Sequence, residues 1–273
     1  MDFPAHLKRL PRALVWLRRP VGLWAAVVTV AVFSFFLLRS AWHQPLPDFA
    51  AIEDVEERKA AFFSFLEPFV EEANASLLES RERLRHMRQN LQRGRLNRRD
   101  LRWVSNLAIK SSLDLPHDGM PSQELIDELL LRMDVIPPSL ALAQAALESA
   151  WGTSRFARQG NNLFGIWCYE PGCGIVPLYR PASATYEVAR YRSPRDSFLA
   201  YMEILNTNPA YRSLWILREN ARANGEIPTG ATLAAGLRLY SQERERYIGK
   251  IRNLIQVNQL DRLDQQFWDE VAH

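Results

Sequence analysis

The sequence predicts a mainly α-helical protein with one small β-lobe, carried behind an N-terminal transmembrane helix and a helical stalk. Three observations lead there. From Ile52 to Leu91 the apolar residues Val55, Phe62, Leu66, Phe69, Ala73, Leu77, Leu84 and Leu91 recur at steps of three, four or seven, which is the spacing of one helix face. Residues 165–192 are instead rich in Gly, Pro, Tyr and β-branched residues, which suits short antiparallel strands. Residues 21–38, VGLWAAVVTVAVFSFFLL, carry no charge at all. With 273 residues and a 47% hydrophobic composition, the chain holds enough material for one sizeable core plus appendages, and it is not disordered overall.

The N-terminal run is long enough, at about 1.5 Å per residue, to cross most of a bilayer core. Lys8, Arg9, Arg12, Arg18 and Arg19 precede it, whereas Arg39 is the one basic residue between 39 and 57, among Asp48, Glu53, Asp54, Glu56 and Glu57. That asymmetry keeps residues 1–19 in the cytoplasm as a basic tail, makes 20–39 an uncleaved signal anchor, and sends the remainder across the membrane. A cleaved signal peptide is the rival, but Arg39, Ser40 and Ala41 make a poor cleavage site. Pro45 and Pro47 mark 40–51 as a linker.

Residues 52–118 read as helices that either form a stalk or pack against the main domain. Pro68 begins a second helix or kinks one long helix, Gly94 and Asn97 close the segment, and a shorter helix spans about 98–110. Ser122 caps the helix QELIDELLLRM, so the main domain is expected over 119–264, with 265–273 as a C-terminal tail. Pro137 and Pro138 suit the entry of the next helix, for which Ser139 is a candidate cap, and good helix formers run to Ala150 before Trp151 and Gly152 end it. Asp196 falls in the first turn of a helix from Pro194, where its charge suits the dipole.

One residue in this layout has no structural purpose. Glu148, in AQAALESAWG, sits in the last turn of its helix, where unsatisfied carbonyls disfavour a carboxylate. Gln144 lies four residues earlier on the same face, and Trp151, Phe156, Phe164 and Trp167 are close enough in sequence to desolvate the carboxyl and raise its pKa, as a general acid requires. A solvated Glu148 paired with Arg155 or Arg158 is the plain alternative. Gly160, Asn161 and Asn162 then favour a tight turn, so the stretch has the layout of a cleft wall.

Here LAQAALESAWGTSRFARQGNNLFGIW, with VARYRSPRDSFLAYMEILNTNPAY and LRLYSQERERYIGKIRNLI, resembles the bacterial cell-wall glucosaminidases of glycoside hydrolase family 73, and within them the Bax protein group, over about residues 120–262. The resemblance implies a lysozyme-like fold and hydrolysis of the β-1,4 bond after N-acetylglucosamine in peptidoglycan glycan strands. It makes Glu148 the catalytic acid, and for a bacterial chain the anchor and its basic flank place the domain in the periplasm, single-pass on the inner membrane. It also implies a cleft tyrosine facing the acid, matched by Tyr240, and a second carboxylate in the β-lobe. The candidates for that role are Glu170 and, preferred because it falls on a strand, Glu187; the substrate's own acetamido group is the alternative. Gln144, Trp151, Asn162, Phe164, Trp167 and Tyr211 are the candidate substrate contacts, Trp151, Phe164 and Trp167 as a platform for sugar rings or equally as packing; Tyr211 and Tyr247 are weaker than Tyr240, because an aromatic at helical spacing is more often core than site.

Cys168 and Cys173 bracket YEPG, whose Pro171 and Gly172 favour a turn, so an exported chain would pair them in a disulfide; two free thiols in a reducing compartment are the alternative. No metal and no cofactor are expected, since the five histidines are scattered at 6, 43, 86, 117 and 273. The same scatter argues against a metal-dependent amidase, whereas a non-catalytic wall-binding module stays open. Arginines at 81, 83, 85, 88, 93, 95, 98, 99 and 102 form a basic run. Across the membrane nucleic acid is no partner, which leaves anionic wall polymer or lipid headgroups, or simply a solvated face balanced by Glu79, Glu82 and Asp100.

Overall fold

The computed structural model describes residues 45–116 and 119–272; the expected basic tail and the membrane anchor at 20–39 lie outside them. Among the described residues no helix is long and apolar enough to cross a membrane. The described residues form one compact unit with ten α-helices and a three-stranded sheet.

The unit opens with a short 3-10 turn, Phe49–Ala51, that drives Phe49 into the core. Helix α1, Val55–Gln92, starts at Asp54, whose carboxylate accepts from the N–H of Glu57 at 2.7 Å. It runs unbroken through Pro68, so of the two expectations there the second helix does not form and one long helix does. Its buried stripe, Phe62, Leu66, Val70 and Ala73, secures it along the neighbouring helices over the turn that loses a hydrogen bond to proline. The far half of α1 contributes Leu84 and Met87 to a second, smaller core, completed by α2 (Arg98–Lys110, capped by Asn97) and α3 (Gln123–Arg132, capped by Ser122 as predicted). Thus α1 packs against the domain rather than projecting as a stalk.

Four of the nine arginines in the basic run are paired. Arg83 pairs with Asp100, Arg85 with Glu82 and Arg88 with Asp127, while Arg81 reaches the buried Asp134; Arg93, Arg95, Arg98, Arg99 and Arg102 stay exposed around the α1–α2 turn.

At the centre lies α4, Pro138–Ser149. Its residues 138–146 are buried on every side, so it is a core helix rather than an amphipathic one, and its alanines let neighbours approach closely. Its entry differs from expectation: Pro137 stands at the cap position and Ser139 does not cap. The Ser139 N–H and hydroxyl both donate to Asp264 instead, at 2.9 and 2.6 Å. Its exit comes early, because Ala150 and Trp151 both take left-handed backbone, with φ of 49° and 58°, and Gly152 follows at 75°. At that glycine an added Cβ would fall 2.6 Å from the ring of Phe49.

After α5 (Arg155–Gly160) comes the lobe: β1 (Trp167–Cys168), β2 (Gly174–Ile175) and β3 (Glu187–Ala189). The order is β1-β3-β2, with β3 antiparallel to both neighbours, so β1 and β2 do not pair with each other as a simple hairpin would. Helix α6 (Pro194–Thr207) returns with Ser193 as its cap and Asp196 in its first turn. Then α7 (Arg212–Ala223), the short α8 (Gly230–Leu233), α9 (Glu245–Val257) and α10 (Asp261–Ala272) close the unit. α8, α9 and α10 all pack on α4, so the expected C-terminal tail is a structural helix.

Candidate active site

The loop entering α4 is held rigid by an ionic core. Arg218 is fully buried and donates to the carbonyls of Arg132, Asp134 and Val135 at 2.7–3.0 Å and to Asn206, while Arg222 forms a two-point bond to the Asp134 carboxylate at 2.6 and 2.7 Å. Burial alone would raise the Asp134 pKa, but Arg218, Arg81 and Arg222 outweigh it and hold the group below the usual carboxylate range. The start of α4 is therefore fixed by Asp134 and Asp264, and its last turn projects Glu148 from this anchored frame.

Glu148 opens into a cleft of about 610 Å³, a size suited to a small-molecule or oligomer subsite. Phe164, Gly165, Trp167, Tyr169, Tyr201, Tyr211 and Tyr240 line it, and Glu148 is the one acid among the described lining residues. Burial raises its pKa, opposed by a hydrogen bond with Tyr247 and by the Lys250 charge, with a further small push upward from Glu243. Lys250 and Glu243 neutralise each other at 2.6 Å. Arg155 bonds the Val176 carbonyl and Arg158 pairs with Asp48, so neither holds Glu148 as the plain alternative required. Gly165, with φ of 67°, stands opposite, and a Cβ there would lie 4.0 Å from Glu148 Oε2. Glycine at this point keeps the face of the acid open to a ligand.

Of the residues singled out from sequence, the structure brings Glu148, Phe164, Trp167, Tyr211 and Tyr240 to the cleft. Trp167 is 53% exposed and stacks one face on Tyr186, with centroids 4.3 Å apart, leaving its other face free. The Tyr240 hydroxyl donates to the Phe164 carbonyl at 3.2 Å, and its ring stacks on Tyr247. Burial raises Tyr201, Tyr240 and Tyr247 well above the ordinary phenol range and Tyr211 to about 12, so all four are neutral hydroxyls at physiological pH.

Four expectations are corrected. Gln144 is fully buried, with both ends of its amide bonded to Tyr201 and Tyr247, and makes no cleft wall. Asn162 is buried and pins the turn through the backbone of Phe164, Ile166 and Ala189. Trp151 leaves the cleft to pack edge-on against Phe62 and Phe63 of α1, beneath Lys59. Glu187 lies in the lobe, where its two oxygens accept the N–H groups of Gly172 and Gly174 at 3.1 and 2.8 Å. Those bonds lower its pKa, and it is not among the cleft-lining residues.

The Cys168–Cys173 disulfide forms, with Cα atoms 6.2 Å apart, and closes the loop that arches over the start of β3 and carries the Glu187 cradle. Glu170 sits exposed on that loop. Sequence reasoning gives Tyr247 little weight and passes over Tyr201, the residues that bond the acid and its neighbour. A tyrosine on a largely polar helix reads as core, and nothing local distinguishes a hydroxyl that reaches another helix.

Comparison with known proteins points the same way. The family model described as mannosyl-glycoprotein endo-beta-N-acetylglucosaminidase matches residues 123–260, which runs from α3 to just past the end of α9 and includes the whole cleft. Protein bax of Escherichia coli (strain K12) is 30% identical over 220 residues, covering 81% of this chain and 77% of that one. The peptidoglycan hydrolase FlgJ of Vibrio parahaemolyticus is 32% identical over 114 residues, 38% of this chain and 37% of its own. No solved structure gives a significant match. The match across the domain and the likeness to Protein bax over most of both chains together show that this chain belongs to the glucosaminidase family.

Proposed function

We propose that the chain is a membrane-anchored peptidoglycan hydrolase that cleaves the β-1,4 glycosidic bond after N-acetylglucosamine, with Glu148 as general acid. The observation that carries this is a single carboxyl, raised in pKa by burial, at the floor of an aromatic-lined cleft in a chain of the glucosaminidase family. The name of the FlgJ relative, a peptidoglycan hydrolase, supports the substrate class. The anchor and the periplasmic location rest on the uncharged run 21–38 and its basic flank.

In this reading a sugar ring stacks on the free face of Trp167, and the scissile oxygen lies above Glu148, reached over Gly165. Glu148 gives its proton to the leaving oxygen as the anomeric centre acquires oxocarbenium character. Among the described lining residues no second carboxylate is available to form a glycosyl ester or to activate water. The nucleophile is therefore the substrate's own 2-acetamido oxygen, whose bonding to the anomeric carbon displaces the protonated leaving group. Water then opens the cyclic intermediate and Glu148, now a carboxylate, accepts its proton.

The full chain, as wild type and as Glu148→Gln, is incubated with purified peptidoglycan and the new ends are identified by mass spectrometry. N-acetylglucosamine at the reducing end from wild type alone supports the reading. Reducing-end muramic acid makes the protein a muramidase, and free stem peptides make it an amidase. Wall binding by both proteins with no new ends replaces the enzyme with a binding module.

A further inference from the structure

Helix α4 is built of Ala, Leu and Ser after its first residue except for Gln144 and Glu148, and Gln144 is enclosed completely. An apolar side chain would fill that space without desolvating an amide, so the amide needs a reason. Its two ends connect two tyrosines from different helices. Tyr201 of α6 donates its hydroxyl to Gln144 Oε1 at 2.6 Å, and Gln144 Nε2 donates to the Tyr247 hydroxyl of α9 at 2.9 Å. Tyr247 also interacts with Glu148, opposing the rise that burial gives the carboxyl.

A carbonyl oxygen only accepts and an amide NH₂ only donates, so the amide gives this chain a direction. Tyr247 accepts a hydrogen bond from Gln144, which leaves its own hydroxyl hydrogen to be donated to Glu148. A carboxyl that accepts from Tyr247 on one oxygen carries its acid proton on the other. With the amide reversed, Glu148 would donate to Tyr247 and Tyr247 to Gln144, and the acid proton would be buried away from substrate.

We propose that Gln144 is a positioning residue: by donating to Tyr247 it commits the Tyr247 hydroxyl to Glu148 and keeps the acid's own proton facing the cleft. This rests on Glu148 being the acid. The other charged groups near Glu148 are Lys250 and Glu243, which are paired, and Tyr201, Tyr211 and Tyr240 stay neutral around it.

The test reads the acid directly. The full chain, labelled with ¹³C at glutamate carboxyls and held in detergent micelles, is titrated by NMR, with the Glu148 signal assigned by its loss in Glu148→Gln. Removing a donor to the carboxylate must raise the Glu148 midpoint in Tyr247→Phe, and Gln144→Met must raise it in the same direction by less. A midpoint that falls or stays put in Tyr247→Phe overturns the proposal, because a fall is the sign of the reversed chain. An unmoved midpoint in Gln144→Met, with the Tyr247→Phe rise intact, also overturns it, since Tyr247 would then need no help. Should Gln144→Met fail to fold, Gln144→Met/Tyr201→Phe removes both buried partners together and is read in the same way.

Titration requires no turnover, so a wild-type protein that titrates as expected but releases no glycan ends sinks the hydrolase reading and leaves the hydrogen-bond direction decided. On an active protein the alkaline limb of kcat moves to higher pH in both variants. In Tyr247→Phe kcat falls about tenfold or more with KM within about twofold, a split that general loss of packing would not produce.

Discussion

Asp264 offers the sharpest test of how the site is supported, because it belongs to α10, beyond the stretch that the family model matches. It is 1% exposed and takes three donors, the N–H and hydroxyl of Ser139 at 2.9 and 2.6 Å and the N–H of Gly230 at 2.8 Å. No detour is open to these donors, since a Cβ on Gly230 would come within 2.1 Å of the Ser139 hydroxyl. Asp264→Ala leaves two backbone N–H groups and one hydroxyl without a partner inside the protein. At about 1–3 kcal/mol per stranded donor, reduced because a buried charge is also removed and water enters part of the gap, the net loss is about 3 kcal/mol. For a unit of this size that corresponds to a fall in Tm of about 6–12 °C. Asp264→Asn, which keeps an acceptor, loses about half as much. Urea unfolding of the full chain followed by circular dichroism measures both. A loss under about 1 kcal/mol for the alanine variant refutes the claim that α10 fastens the entry of α4.

Three further outcomes follow from the geometry. Asp134 has a folded pKa below its unfolded value, so its contribution to stability is present above about pH 4 and is lost as pH falls through the lowered folded value. Asp134→Asn should therefore flatten the acid side of a stability-versus-pH curve and, by leaving Arg218 buried and unpaired, cost about 3–5 kcal/mol at neutral pH. Trp167→Ala removes a half-exposed stacking face and should raise KM for soluble glycan fragments by about tenfold or more with melting temperature unchanged, as read by steady-state kinetics beside a thermal melt. Because its loop spans five positions, breaking the Cys168–Cys173 bond through paired Ser substitutions should cost at most about 2 kcal/mol, and amide exchange should show the loosening confined to Gly172, Gly174 and β3.

What the sequence disclosed and what it withheld divide along physical lines. Local rules sufficed for the cap at Ser122 and for the helix start at Pro194, because a cap is a bond between a side chain and the backbone two or three residues on and proline suits a first turn. They failed at Ser139, whose partner is 125 residues away, and a serine ahead of a helix looks the same whether it caps or is itself held. Period-3.6 patterning found the buried face of α1 but left two readings open at Pro68, of which packing selects the one long helix. Glu148 was legible because a carboxylate at a helix C-terminus contradicts its surroundings. Gln144 and Asn162 were misassigned for the opposite reason: a polar residue near a candidate acid in sequence suggests ligand contact, and only tertiary structure shows that its hydrogen bonds are already taken by the protein. Glu187 was placed correctly on a strand, but strand residence does not say which way a lobe faces.

The hydrogen bonds and charges around Asp134, Asp264, Glu187 and Glu148 separate three acids held for structure from one left able to carry a proton. Asp134 is surrounded by three arginines, Asp264 takes three directed donors, and Glu187 takes two backbone N–H groups. Each of those partners favours a carboxylate, although at Asp264 burial outweighs its three donors and leaves the pKa raised, so what sets Glu148 apart is its opening to the cleft. Glu148 has one hydroxyl, from Tyr247, and a lysine whose charge is already answered by Glu243. It also sits in the final turn of α4, where the helix opposes negative charge, whereas Asp264 meets the opposite end of the same helix, where the dipole welcomes it. One helix therefore meets a carboxylate whose partners favour the anion at its start, and carries at its end a carboxyl with little to hold a charge. Reversing that balance at the cleft, by bringing a second strong donor onto Glu148, would stabilise its charge and remove the property on which proton donation depends.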